Sequence, residues 1–270
     1  MIALQEPLKH RVYSRHKRLE RMTIAAGFVN HNGVLMCGDT MIDGGDSAHY
    51  QSKILPIRFR DGIVHIAFCG LVGFSVSASE RIALRLTHYR HGPDRSIEEI
   101  MDVVRETWAL VFSEKYGNPE HTVDSQIVVS VHSKSDGRSS LIHSENEILS
   151  PSHTGVQCIG AGDKIAQYLT LWFPFSSISN IHSQHALEIA INALGRVKQY
   201  MPNAVGGSLV AVQLNHDGTE NFYDAREINR IEKYTKEFDL LTRSLLLCFM
   251  DFRTSHDFDQ NLKVALRRNS

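Results

Sequence analysis

No two cysteines in this chain are spaced as a C-x-x-C pair. The four, Cys37, Cys69, Cys158 and Cys248, stand far apart, and three of them sit in apolar runs where they read as small core residues. That usage excludes a disulfide framework and a cysteine zinc site and fits a reducing cytosol. Charge of one sign is also lacking. Lys and Arg number 29 against 30 Asp and Glu, for a net charge of −1. A basic surface for nucleic acid or for an anionic membrane is thereby excluded. No apolar run, Leu245 to Met250 included, nears the roughly 20 residues of a membrane span. Nor does the N-terminal stretch hold the apolar core of a signal peptide, so a cytoplasmic enzyme or assembly subunit is expected. Internal repeats, low-complexity tracts and interdomain linkers are missing as well. The histidine pairs His88/His91 and His182/His185 have no third ligand near them in sequence, where catalytic zinc usually takes three. They read as surface or capping residues, and no metal or cofactor is expected. Gly160-Ala161-Gly162 lacks the further glycines and the lysine of a phosphate loop. It reads as a turn feeding a helix.

Hydrophobic residues make up 42% of the chain and charged residues 22%, enough apolar material for a substantial core. Strand-like runs at Thr23–Asn30 and Val34–Thr40 flank His31-Asn32-Gly33, and Lys53–Phe59 and Ile63–Phe68 flank Arg60-Asp61-Gly62. Both intervals carry hairpin-turn chemistry. The near-continuous apolar character of these strands predicts cover on both faces. A helix is predicted from Val72 to Tyr89, stopped by Gly92-Pro93. A second starts at the capping box Ser96-Ile97-Glu98-Glu99 and carries one apolar face of Ile97, Ile100, Met101, Val104, Trp108 and Val111. Strands follow at Ser125–Ser133, Ser139–His143 and Thr154–Ile159, then helices at Asp163–Phe173 and Ser183–Gln199. Two more strands, Ser208–Leu214 and Asn221–Tyr223, precede a C-terminal quarter that is largely helical from Ile228. The order strands, two helices, strands, two helices, strands predicts an α+β fold, a four-layer αββα sandwich of two antiparallel sheets between helical layers. An ordinary two-layer α+β domain stays open on this pattern.

The chemistry concentrates near the first strands. A threonine hydroxyl is a weak nucleophile until a base takes its proton. The α-amine of a chain terminus, with an ordinary pKa of about 7.7–8.0, is such a base when the threonine is itself the first residue. Thr23 opens an apolar run directly after Met22. Lys53 can supply the cation that favours the deprotonated forms, and Asp39 the anion that lets a lysine be buried. Gly70, inside IVHIAFCGLVGF, offers a backbone donor for an oxyanion. Taken singly, each reads as well as a strand residue, a strand end, a sheet edge or a turn.

From Thr23 to about Tyr223 the chain resembles the proteasome β-type subunits and their bacterial relatives among the N-terminal-nucleophile hydrolases. The matching residues are T-I-A-A-G-F from Thr23, N-G-V-L-M-C-G-D-T around Gly33 and Asp39, S-K-I-L at Lys53 and A-F-C-G at Gly70. I-G-A-G at Gly160–Gly162 and V-G-G at Gly206–Gly207 also correspond. The resemblance implies the four-layer sandwich, like subunits in a ring with sites facing an inner chamber, and hydrolysis of peptides or unfolded protein through an acyl-enzyme on Thr23. It leaves room for an unfoldase ATPase partner. It implies catalytic roles for Thr23, Asp39, Lys53 and Gly70. Asp43 falls on the strand edge that pairs with substrate, and Ile42, Gln51, Leu55, Phe68 and Val72 line the pocket before the cleaved bond, preferring an apolar side chain. Those five read equally as plain core.

This chain departs from the family where Met22 replaces the usual glycine before the nucleophile. It departs again where Ala161, Pro202 (or Asn203) and Val205 replace a serine–aspartate–serine set beside the amine. Residues 1–22 are expected to be a basic extension (a propeptide, a tail or a mis-set start, the last favoured by the Met22-Thr23 step), and 23–270 one domain. Three functions stand open: a threonine peptidase, a non-catalytic ring subunit of the same fold, and an amidase acting on a small amide.

Overall fold

The computed structural model describes residues 23–43, 48–89, 92–117, 125–170 and 181–251, with backbone alone at 43, 48, 49, 116, 238, 239 and 241–251. The extension 1–22 lies outside the described residues. Turn chemistry set the first hairpin: β1 (Ile24–Asn30) and β2 (Gly33–Asp39) pair antiparallel around His31-Asn32. A ribbon of β3 (Met41–Asp43) and β4 (Ala48–Tyr50) follows. Next come β5 (Ile54–Phe59) and β6 (Gly62–Cys69), joined at Arg60-Asp61. Gly62 is required there, since a Cβ would sit 2.0 Å from the His132 carbonyl oxygen.

Two helices come next, α1 (Val72–His88) and α2 (Ile97–Tyr116). Ser96 caps α2 reciprocally with Glu99, as the capping box requires. All six residues of its expected apolar face are buried. The chain continues through β7 (Gln126–Ser133), β8 (Arg138–Glu145), β9 (Ile148–Pro151) and β10 (Val156–Gly160), then α3 (Asp163–Thr170) and α4 (Ser183–Tyr200). It closes with β11 (Leu209–Asn215), β12 (Glu220–Phe222) and α5 (Ala225–Asp251). His182 caps α4, its ring nitrogen accepting from the Gln184 amide at 3.5 Å. The short strands β4 and β9 were not anticipated from the sequence, and β3 only through the strand edge expected at Asp43.

One antiparallel sheet runs β10-β1-β2-β11-β12 and the other β5-β6-β7-β8-β9. Three apolar layers separate the four structural ones. Ile24, Phe28 and Leu35 on one face of the first sheet meet Leu187, Ile191 and Leu194 of α4, with Ala166 of α3 and Ile228 of α5. Val64, Ile66 and Val129 on the outer face of the second sheet meet Ile82, Leu86, Val104 and Trp108 of α1 and α2. Between the sheets lie Ala25, Met36, Ala67, Val128, Leu141 and Val212. The protein is therefore a four-layer αββα sandwich, with the two-layer alternative set aside because both sheets carry helices. Fully buried strands on both faces account for the absence of strict alternation in β1, β2 and β6.

The inner layer is not wholly apolar. Glu220 takes a two-pronged bond from Arg58, at 2.5 and 3.0 Å, and a bond from buried His65 at 2.7 Å. These contacts tie β12 of one sheet to β5 and β6 of the other. Cys37, Cys69 and Cys158 are buried thiols, none in a disulfide, and burial pushes the Cys158 thiol up to about 12. The side chain of Cys248 falls outside the described residues.

Candidate active site

The two sheets bring a set of strand ends together at one edge of the sandwich. Thr23 stands just before β1, Asp39 ends β2, Lys53 precedes β5, and Gly70 follows β6. The antiparallel order makes this convergence: every second strand crossing returns to the same edge, so residues far apart in sequence become neighbours. Thr23, Asp39 and Lys53 are all but fully buried, at 3%, 0% and 2% exposure.

Asp39 is the hub. Its Oδ1 accepts from the Thr23 hydroxyl at 2.5 Å, the Ile24 amide at 3.1 Å and the Lys53 ammonium at 2.7 Å. Its Oδ2 accepts from the Gly206 amide at 3.1 Å. Lys53 Nζ also donates to the Thr23 hydroxyl oxygen. The hydroxyl thus lies between a carboxylate that accepts its hydrogen bond and a cation placed to stabilise an anionic oxygen. Burial lowers the Lys53 pKa below its ordinary value; the Asp39 charge and its hydrogen bond oppose that shift without cancelling it.

Three glycines are built into this edge, all at positive φ and two of them also by close approach. Gly160 has a φ of 95°, and a Cβ there would lie 2.2 Å from the Thr23 carbonyl oxygen. That carbonyl accepts from the Ala161 amide at 2.7 Å. Gly207, with a φ of 70°, leaves no room for a Cβ beside the Thr40 hydroxyl. Gly70 has a φ of 92° and makes the corner between β6 and α1. Gln126 at the start of β7 braces the corner. Its side-chain oxygen accepts from the Gly160 amide at 3.2 Å and from the Cys69 thiol at 3.6 Å. The Gly160-Ala161-Gly162 segment is a strand-to-helix turn, with Gly162 pressed against Val197 of α4.

The remaining sequence-derived residues spread out. Leu55, Phe68 and Val72 pack with the apolar cluster beneath α1 and α2. Ile42 is half-buried on β3 and Gln51 is exposed. Asp43 ends β3, and its side chain lies outside the described residues. Sequence reasoning did not find the Gly206 amide as a ligand of Asp39, nor Gln126. The Gly-Gly pair before a strand was the available signal for the first. Among the substituted positions, Val205 is fully buried in the apolar cluster under α4, and Pro202 and Asn203 are exposed in a turn. Ala161 contributes its backbone amide to Thr23. Among the described residues, no group of three His, Cys, Asp or Glu side chains could hold a metal ion. No helix there is long and apolar enough to cross a membrane.

The fold and this edge define an αββα sandwich with a buried threonine–aspartate–lysine cluster where the sheets' strand ends meet. Solved structures of Anbu proteins share the fold. Anbu (ancestral β-subunit) from Yersinia bercovieri superposes with a TM-score of 0.65 at 13% identity, covering 80% of this chain and 94% of its own. The helical assembly of the Anbu complex from Pseudomonas aeruginosa gives 0.63 at 16%, covering 82% and 96%. Anbu from Hyphomicrobium sp. strain MC1 gives 0.63 at 12%, covering 80% and 94%. No family model matches the chain, and no curated protein does.

These findings correct the assignment to the proteasome β-type subunits and bacterial proteasome-like peptidases. The structural neighbours are Anbu proteins, and no sequence-level match supports the narrower assignment. The physical reason lies in the motifs themselves. A-F-C-G, I-G-A-G and V-G-G fall where the chain turns at the strand-end edge, so they follow the fold and do not specify a family.

Proposed function

We propose that this protein is a hydrolase that cuts peptide bonds with Thr23 as its nucleophile. The observation that carries the reading is the Thr23–Asp39–Lys53 cluster, buried in one hydrogen-bonded unit at the strand-end edge. A buried, mutually bonded acid, base and hydroxyl is costly to maintain for structure alone.

In the proposed reaction Thr23 has lost the residues before it. Its α-amine takes the hydroxyl proton, and Oγ1 attacks the substrate carbonyl carbon. Lys53 stabilises the oxygen as it becomes anionic, and Asp39 holds the lysine. The carbonyl oxygen, now negative, turns to the Gly70 amide. The amine returns its proton to the leaving nitrogen as the peptide bond breaks. Water, deprotonated by the same amine, then releases the acyl group from Thr23. Bound substrate would lie along β3 near Asp43, with Ile42, Gln51, Leu55, Phe68 and Val72 as candidates for its side-chain pocket.

The likeness to Anbu structures, one of them a helical assembly, supports association with like subunits. A second reading has its own observation. Val205 and Ala161 give the edge no side-chain hydrogen bond where an amine would need holding. A subunit that shapes the assembly without turnover is therefore the alternative. The deciding experiment is hydrolysis of a fluorogenic peptide panel, beside small amides, by protein released at Thr23 and by its Thr23→Ala variant. Turnover lost in the variant supports the hydrolase; no turnover in either supports the structural subunit; equal turnover in both overturns the assignment to Thr23.

A further inference from the structure

Away from the Thr23 edge, a cleft opens between α4 and α5. It encloses about 460 Å³, within the range of small-ligand sites. Its walls carry three cations, Arg196 and Lys198 from α4 and Lys236 from α5, against one carboxylate, Glu232. Glu232 sits 3.5 Å from Lys198 and fixes that ammonium at the cleft wall. A second feature is independent of charge. Gly195 lies in the middle of α4 and lines the same cleft. Glycine is the weakest ordinary helix former after proline, and mid-helix it normally answers to a close neighbour. Here a Cβ would meet nothing within 4 Å. No atom described in the chain needs that space, and the bare backbone opens into a positively charged cavity.

We infer that this cleft binds a small anion bearing a carboxylate or phosphate group, seated over Gly195 and held by Arg196, Lys198 and Lys236. Charge-assisted bonds from two helices would fix the anion, and the missing side chain at Gly195 would give it depth. The same cleft is bounded by Gly206, whose amide bonds Asp39 Oδ2 at 3.1 Å. The turn leading there is fastened to α4, with the Met201 amide on the Val197 carbonyl at 2.8 Å and the Val205 amide on Met201 at 2.9 Å. An occupant therefore presses on the segment that positions Asp39. Any effect of the anion on turnover rests on the function proposed above; the binding itself does not.

Titration calorimetry tests the binding with three probes: inorganic phosphate, a short peptide ending in a free carboxylate, and the same peptide amidated. The expected result is saturable binding of phosphate or of the free-carboxylate peptide, one per chain, with the amidated peptide silent. The tighter of the two identifies the source of the anion. Lys236→Gln should weaken it about tenfold, the loss of one charge-assisted contact. Gly195→Leu should abolish it while leaving circular dichroism unchanged. If that variant does not fold, Arg196→Gln combined with Lys236→Gln replaces it. Lys164→Gln, 83% exposed on α3, should bind as the parent does. Binding should also slow hydrogen exchange across residues 195–206. Absence of binding by both anionic probes, or binding that survives the cleft substitutions unchanged, overturns the inference.

Discussion

Replacing Lys53 with Met tests whether the buried cluster acts as one electrostatic unit. Met fills nearly the same volume and removes only the charge. Asp39 is then left as a fully buried carboxylate whose Lys53 cation is gone, while its bonds from Thr23, Ile24 and Gly206 remain. Breaking a buried pair in this way costs about 3–5 kcal/mol, and in a protein of this size the melting temperature should fall on the order of 10 °C. Asp39→Asn should cost less, about 1–3 kcal/mol, the price of one unsatisfied buried group. Burial already lowers the Lys53 pKa, so the amine can shed its proton when the carboxylate disappears. In the Asp39→Asn background the lysine has no carboxylate to neutralise, so adding Lys53→Met should cost almost nothing further. Urea denaturation of the four proteins gives the coupling directly. If Lys53→Met costs the same in both backgrounds, the ammonium and carboxylate are not coupled and the reasoning about the site fails.

Other outcomes follow from the same geometry. Gly160→Ala should push the Thr23 segment away, because the residue sits at a φ of 95° with a Cβ 2.2 Å from the Thr23 carbonyl oxygen. Peptide hydrolysis should drop well before the fold is lost, at a stability cost of about 1–3 kcal/mol; unchanged activity would mean that the backbone there is not constrained. Acid should weaken the fold below pH 6.5, the ordinary histidine value, because burial lowers the pKa of His65, His132 and His216. In that range the unfolded chain binds protons that the native histidines resist, so stability falls with pH by up to about 1.4 kcal/mol per unit for each group. Denaturation midpoints at pH 7.5 and 5.5 check the sign, and a flat profile would contradict it. Ser96→Ala should cost about 1 kcal/mol through loss of the α2 cap and leave the site untouched, as measured by urea titration with a peptide assay in parallel.

The parts of this fold that were legible in the sequence carry local signals. Asn-Gly and Asp-Gly turns announced β1–β2 and β5–β6, and Ser96 with Glu99 announced α2 to the residue. The short strands β3, β4 and β9 hold three or four residues each, too few for a period to emerge. Pro151 at the end of β9 further disguised it. At the site, Thr23, Asp39 and Lys53 could be picked out because their side chains suit one reaction together. The Gly206 amide carried only the weaker signal of the Gly-Gly pair, since a backbone N–H donates whatever the residue type and its distance from Asp39 along the chain hides the contact. The Glu220–His65–Arg58 tie between the sheets was invisible because its side chains come from distant parts of the chain. Family placement failed differently: glycines required by close approach, of backbone at Gly160 and of side chains at Gly162 and Gly207, record the geometry of the edge rather than a family.

Intact mass and N-terminal sequencing of the protein recovered from its own host, before and after incubation with a peptide electrophile, address the central claim most directly. The account requires a chain that begins at Thr23, lighter by residues 1–22, and a single adduct that maps to the Thr23 peptide and is absent from Thr23→Ala. A mature chain that keeps Met22 joined to Thr23, with no adduct at that residue, would contradict it.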